Sequence, residues 1–208
     1  MRYAVRVGRS APGGAGRNRP HVPAATAGAT ALDGTTDAKR NLGPMSSECL
    51  DIGWREWLAL PELGLPAVKA KVDTGARTSA LHAWKVEPFT EQGAPWVRFH
   101  LHPLQRDTEL SVVCTAPVHD RRLVSDSGGH RERRYVVHTP IRIGGHLRTI
   151  EVTLTDRDTM LFRMLLGRKA MRGLRIIPNA SFLTAPPLTA AQAAALYEPA
   201  RPQERSPT

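Results

Sequence analysis

Residues 68–81 read VKAKVDTGARTSAL. A short run with apolar residues at alternate positions meets Asp73-Thr74-Gly75, then a small, hydroxyl-rich segment. Alternation of this kind marks a half-buried strand, and Asp and Gly are both favoured where a strand turns. Asp73 is therefore either an ordinary turn residue or a carboxylate held at the tip of a rigid loop for chemistry. The surrounding sequence has to decide.

Working outward, the pattern is mostly strand. GWREWLALPELGLPAVKAKVDTG holds two strand-like runs separated by the Pro61–Pro66 loop. APWVRFHLHPL alternates apolar and polar positions, and LSVVCTAPV is a further apolar run. RRLVSDSGGHRERRYVVHT places Gly128-Gly129 at a hairpin tip, and PIRIGGHLRTIEVTLTD does the same with Gly144-Gly145. Only RDTMLFRMLLGRKAMRG has helical character, with mixed spacing. Short strands at regular intervals with Gly turns predict an all-β fold, a closed barrel or sandwich. One short helix is expected near the C-terminal end of the domain.

The 208 residues suit one domain flanked by two tails. Residues 1–45, rich in Gly, Ala, Pro, Thr and Arg without a sustained period, read as a disordered basic extension or as the product of a start assigned upstream of Met45. Residues 46–185 form the patterned domain, and 186–208 a peripheral tail with a short helix over Thr189–Tyr197. The chain carries a formal net charge of +10, half of it in residues 1–45. A basic surface suits nucleic acid or an acidic polypeptide; a solvated arginine-rich surface fits the same numbers. Hydrophobic residues make up 41% of the chain, enough for a core, and no apolar run approaches the length of a membrane span. Two cysteines, Cys49 and Cys114, do not make a disulfide framework, and no apolar leader follows the first arginines, so a cytoplasmic location is expected.

The second decisive stretch is Met164-Leu165-Leu166-Gly167-Arg168, about ninety residues after the Asp-Thr-Gly-Ala loop. Together the two resemble retropepsin-like aspartic proteases, in which the second segment braces the loop carrying the catalytic aspartate. From about Ile52 to Ser181 the chain is similar to the bacterial retropepsin-like family long labelled "ATP-dependent zinc protease". That family includes the peptidase encoded beside the ATP-grasp ligase that adds glutamates to ribosomal protein S6. The resemblance implies a retropepsin-like barrel, a homodimer, a glutamate-rich or polyglutamate-tailed protein substrate, and a functional link to an ATP-grasp glutamate ligase. It gives Leu166, Gly167 and Arg168 a supporting role beneath the loop.

The older label implies ATP and zinc, and the residues speak to both. No Gly-x-x-x-x-Gly-Lys-Ser/Thr stretch or other Gly-rich phosphate cradle is present, so ATP dependence belongs to a partner. There is no His-Glu-x-x-His; the nearest histidine cluster is His100-x-His102, with Cys114 and His119 further on. Residues two apart on a strand share a face, but histidines on a half-exposed strand explain the spacing as well. No cofactor and no metal are expected.

One Asp-Thr-Gly per chain sets a mechanistic demand. Aspartic proteolysis needs two facing carboxylates that share one proton, because like charges about 3 Å apart cannot both ionise. With no internal repeat, the second carboxylate has to come from a second copy, placing Asp73 of each subunit across a two-fold axis. In that arrangement Thr74 hydrogen-bonds across the axis, Gly75 permits close backbone approach, and Ala76 leaves the cleft open. Asp156 and Asp158 read instead as a solvated turn beside Arg157, Ser79 lacks a His–Asp pattern, and Cys114 reads as core.

Candidate anchors for substrate carboxylates are Lys71, on the face of Asp73, Arg77, and the hairpin residues Arg121, Arg122, Arg131, Arg133 and Arg134. If the Gly128-Gly129 hairpin folds over the site as a flap, its arginines hold glutamates; otherwise it is a basic exposed hairpin. Two other functions stay open: a non-catalytic β-module that binds acidic protein or RNA through its basic residues, and a zinc hydrolase built on His100, His102 and Cys114. A membrane role is not expected, and nucleic acid is not the favoured partner.

Overall fold

The computed structural model describes residues 5–9, 49–125, 129, 131–156 and 161–198. In chain order the strands are β1 (Val5–Arg9), β2 (Leu50–Gly53), β3 (Arg55–Leu60), β4 (Leu65–Asp73), β5 (Ser79–His82), β6 (Lys85–Glu91), β7 (Ala94–Leu101), β8 (Leu110–Pro117), β9 (Asp120–Ser125), β10 (Arg131–Ile143), β11 (His146–Thr155), β12 (Met164–Gly167) and β13 (Leu174–Ile177). The class is all-β. One α-helix is found among the described residues, α1 (Ala190–Ala195).

The largest sheet runs β11-β5-β12-β4-β3-β10-β9, and β10 also pairs β11, so the pairings return on themselves through six strands. The β3–β10 seam has a single register pair, Ala59 with Arg142, whereas β10 and β11 share eight. The barrel is thus incompletely closed at that seam. A second sheet, β1-β8-β7-β6, is an antiparallel meander with β1 added at its edge. Alternation works as expected there: Val97, Phe99 and Leu101 point inward and are fully buried. They share one core cluster with Leu58, Leu65, Val68, Leu81, Ile141, Val152, Met164 and Leu166 of the large sheet. Burying a side chain such as Phe99 contributes about 1.5–3 kcal/mol.

Turn chemistry explains the connections. The β10–β11 hairpin turns at Gly144, whose φ of +54° is a left-handed conformation that favours glycine. The Pro61–Leu63 segment is a 3₁₀ turn. Thr189 caps α1 in a reciprocal box: its hydroxyl accepts from the Gln192 N–H at 3.2 Å while its own N–H donates to Gln192 Oε1 at 2.9 Å.

Three expectations change. The run around Met164 is not helical: it forms β12, wedged between β4 and β5, followed by a 3₁₀ turn over Arg168–Met171. Pairing on both sides overrides its mixed local spacing. The α-helix lies later, within the short helix expected over Thr189–Tyr197, but the tail that carries it is not merely peripheral. Ala193 is fully buried and the Tyr197 hydroxyl donates to the Ala67 carbonyl on β4. Finally, Val5–Arg9, inside the extension expected to be disordered, forms β1 against β8 in the register Val5 with Cys114 to Arg9 with Leu110. The rest of that extension, the hairpin glycine Gly128, and Arg157 and Asp158 lie outside the described residues.

Candidate active site

β4 ends at Asp73, and β5 begins six residues later at Ser79. Between them the chain curls back on the carboxylate: the N–H groups of Gly75 and Ala76 donate to Asp73 Oδ1 at 3.0 and 3.1 Å. Both bonds fall on one oxygen, Oδ1, and tie the carboxylate to its own loop. A Cβ on residue 75 would stand 3.2 Å from that same Oδ1. Glycine keeps the turn tight against the side chain.

β12 is the brace. It lies parallel to β4 with Gly167 level with Asp73, and antiparallel to β5. A Cβ on Gly167 would meet the Thr78 carbonyl carbon at 2.5 Å, so only glycine allows the two backbones this close. The Gly167 N–H donates to the buried Ser79 hydroxyl at 3.1 Å, and Thr153 Oγ1 donates to the Ser79 carbonyl at 3.1 Å. The Arg168 N–H reaches the Ala76 carbonyl at 2.9 Å and the Lys169 N–H the Arg77 carbonyl at 3.0 Å. Arg168 Nη1 then donates to the carbonyls of Thr74 and Gly75 at 2.8 and 3.0 Å. Every residue from Thr74 to Arg77 thus has its carbonyl held from β12 or the turn after it. Leu166 anchors the brace from below, fully buried in the core.

The basic candidates divide. Lys71 and Arg77 are exposed beside the loop. On the β9–β10 ribbon, Arg131 pairs Ser125, Arg133 pairs Leu123 and Tyr135 pairs Arg121, so Arg121, Arg131 and Arg133 share one outward face with Leu123. Arg122 and Arg134 point the other way. Arg134 is buried and bonds Glu132 at 2.8 Å, and Arg122 bonds Asp120 at 2.7 Å and Glu151 at 3.0 Å. Those two guanidiniums are committed to internal ion pairs. A groove of about 740 Å³ runs beside the brace, lined by His138, His146, Arg148, Arg168, Lys169 and Arg172 among others.

The histidines of the alternative zinc-hydrolase reading do not converge with Cys114. Cys114 pairs Phe99 and faces the core with it, bonding the Leu63 carbonyl, and burial pushes its thiol up to about 12. His100 sits on the opposite face, 3.2 Å from Glu87, and His102 stacks on Trp84. A different set does meet: His119, His138 and Glu151. The hydrogen bond from Lys169, then that from Arg122, holds the Glu151 carboxyl below the usual carboxylate range against some desolvation. Desolvation and the neighbouring His119 lower His138. Sequence reading passed over this set because its members are 19 and 13 residues apart. A signal existed: a turn centred on Gly144-Gly145 places His138 opposite Glu151.

Sequence reading also missed Glu56, a carboxylate 1% exposed. Oε1 accepts from the N–H groups of Gly53 at 2.6 Å and Leu183 at 2.9 Å, and Oε2 from the Thr184 N–H at 3.3 Å and hydroxyl at 2.9 Å.

An all-β domain with an Asp-Thr-Gly loop braced by a Gly-Arg strand is the architecture of a retropepsin-like protein. Residues 52–183 match the model of the RimB-like family, described as retropepsin-like aspartic endopeptidase RimB, and the chain belongs to that family. It is 48% identical over 139 residues to a protein of Shewanella halifaxensis and 43% over 150 to one of Parasynechococcus marenigrum, each named probable alpha-L-glutamate ligase. Those matches take in 66% and 72% of this chain but only 30% and 32% of the relatives, so the chain spans about a third of their length. Among solved structures it is similar to Lpg0085 of Legionella pneumophila, a protein of unknown function. The identity is 27% and the TM-score 0.55, over 65% of this chain and 98% of that one.

Proposed function

We propose that the chain is an aspartic endopeptidase that works as a homodimer and cleaves acidic, glutamate-rich peptide. The observation that carries this reading is the Asp73 loop: a carboxylate oriented by two backbone N–H groups and braced by Gly167 and Arg168. Two copies of Asp73 facing each other share one proton. The ionised carboxylate takes a proton from a water as it attacks the scissile carbonyl carbon, and the protonated one donates to the carbonyl oxygen. The gem-diol then collapses, with proton transfer to the leaving amine, and the pair regains its shared proton. Thr74 and Gly75 complete this site, and Ala76, Leu166, Gly167 and Arg168 support it.

Preference for acidic substrate rests on exposed Lys71 and Arg77 at the loop and the basic groove beside the brace, with the outward Arg121, Arg131 and Arg133 adding positive charge on the β9–β10 ribbon. Relatives named probable alpha-L-glutamate ligase, of whose length this chain spans about a third, support a functional link with glutamate addition. The test is hydrolysis of a poly-α-glutamate peptide by wild type and Asp73→Asn, with and without EDTA, alongside sedimentation to establish the dimer. Cleavage lost in the variant while the dimer persists supports the reading. Undiminished cleavage in Asp73→Asn rules out the mechanism. Salt-sensitive binding of an acidic protein or RNA that ignores Asp73→Asn, without cleavage, favours a binding module instead.

A further inference from the structure

We propose that His119, His138 and Glu151 form a binding site for one late first-row divalent metal ion, with Zn2+ as the representative. The three supply two imidazoles and a carboxylate whose ligand atoms all lie within 4.8 Å of one another. Strand geometry sets their positions: His138 on β10 is the direct cross-strand partner of Glu151 on β11. His119, in the turn between β8 and β9, is tied to the same ribbon by its N–H, which donates to the Val136 carbonyl at 2.8 Å. The two imidazole rings stack with centroids 3.7 Å apart and planes 25° apart, so their nitrogens already share one small volume.

A tetrahedral ion with Zn–N bonds of about 2.0–2.1 Å needs ligand atoms roughly 3.3 Å apart. Both histidines are exposed, and metal binding requires their side chains to rotate out of the stacked arrangement. Three protein ligands leave a further position for water, and His138 and Glu151 line the basic groove. Arg122 Nη1 holds Glu151 Oε2 at 3.0 Å and Lys169 Nζ holds Oε1 at 2.8 Å, an outer ring that orients the ligating carboxylate. The same two cations also select the ion. They oppose a cation held mainly by charge through oxygen, as Mg2+ and Ca2+ are. They weigh less against an ion that gains most from imidazole nitrogen. The three ligands share no residue with the Asp73 loop, and the site does not rest on the peptidase reading.

The experiment is calorimetric titration of Zn2+ into the chelator-stripped, tag-free full chain, repeated with Mg2+. Co2+ loading followed by visible absorption serves as a second readout of coordination. One Zn2+ per chain is expected in wild type and in His100→Ala, with no Mg2+ binding. His119→Ala and His138→Ala should each weaken Zn2+ binding by roughly 10–100-fold or more and remove the Co2+ bands, while circular dichroism shows both folded. Absence of a stoichiometric wild-type site, or wild-type affinity in both histidine variants, overturns the assignment.

Discussion

Asp73 and Glu56 stand seventeen residues apart on adjacent strands, and the fold treats them in opposite ways. Glu56 is buried and accepts four hydrogen bonds on its two oxygens, tying the β2–β3 turn to residues 183 and 184. Asp73 is half-exposed and accepts two, both on one oxygen and both from its own loop. A carboxylate whose bonding capacity is filled by the fold is a structural part, since a buried charge is tolerated only when its lone pairs are met. One held firmly with capacity left over is free for chemistry. Position on the chain says nothing about the difference; the donors around each do.

Exchanging the roles would break that contrast. Asp73→Asn keeps an oxygen for the Gly75 and Ala76 N–H groups, so hydrolysis should fall roughly 10²–10⁴-fold while the melting temperature scarcely moves. Glu56→Ala should do the reverse, leaving four donors without an acceptor and destabilising by about 3 kcal/mol or more; calorimetry would read it as a fall of roughly 6–12 °C. A Glu56→Ala protein as stable as wild type would undo the structural assignment. Between the extremes, Gly167→Ala drives a Cβ into the Thr78 backbone, with about 1–3 kcal/mol lost and the loop displaced. Arg168→Ala removes two bonds to surface carbonyls, costing about 1 kcal/mol by denaturant titration but up to roughly 10²-fold in rate through misplacement of Asp73. The smallest effect concerns the thiols. With Cys114 buried and pushed up to about 12, a thiol reagent at neutral pH should label half-exposed Cys49 alone, and mass spectrometry would show a single adduct.

What could be read from sequence follows the same division. The Asp-Thr-Gly loop and Leu-Leu-Gly-Arg brace are contiguous strings, and strand alternation exposed the sheets of β7, β8, β10 and β11. The Glu56 hub was illegible because its donors lie 3, 127 and 128 residues away. Helical character around Met164 misled because spacing within a short apolar run carries no record of strands pairing on both sides. The arginines of the β9–β10 ribbon look alike in sequence. Only register shows that Arg122 and Arg134 turn towards acids and their neighbours turn to solvent.

β1 has a consequence for how this protein is made. Val5–Arg9 caps the outer edge of the meander, covering the backbone of Leu110–Cys114. A product begun at Met45 would leave the N–H and C=O groups of that edge bare, and an open strand edge recruits strands from neighbouring chains. The choice of translation start would then govern whether the protein stays dispersed during expression or is lost to inclusion bodies.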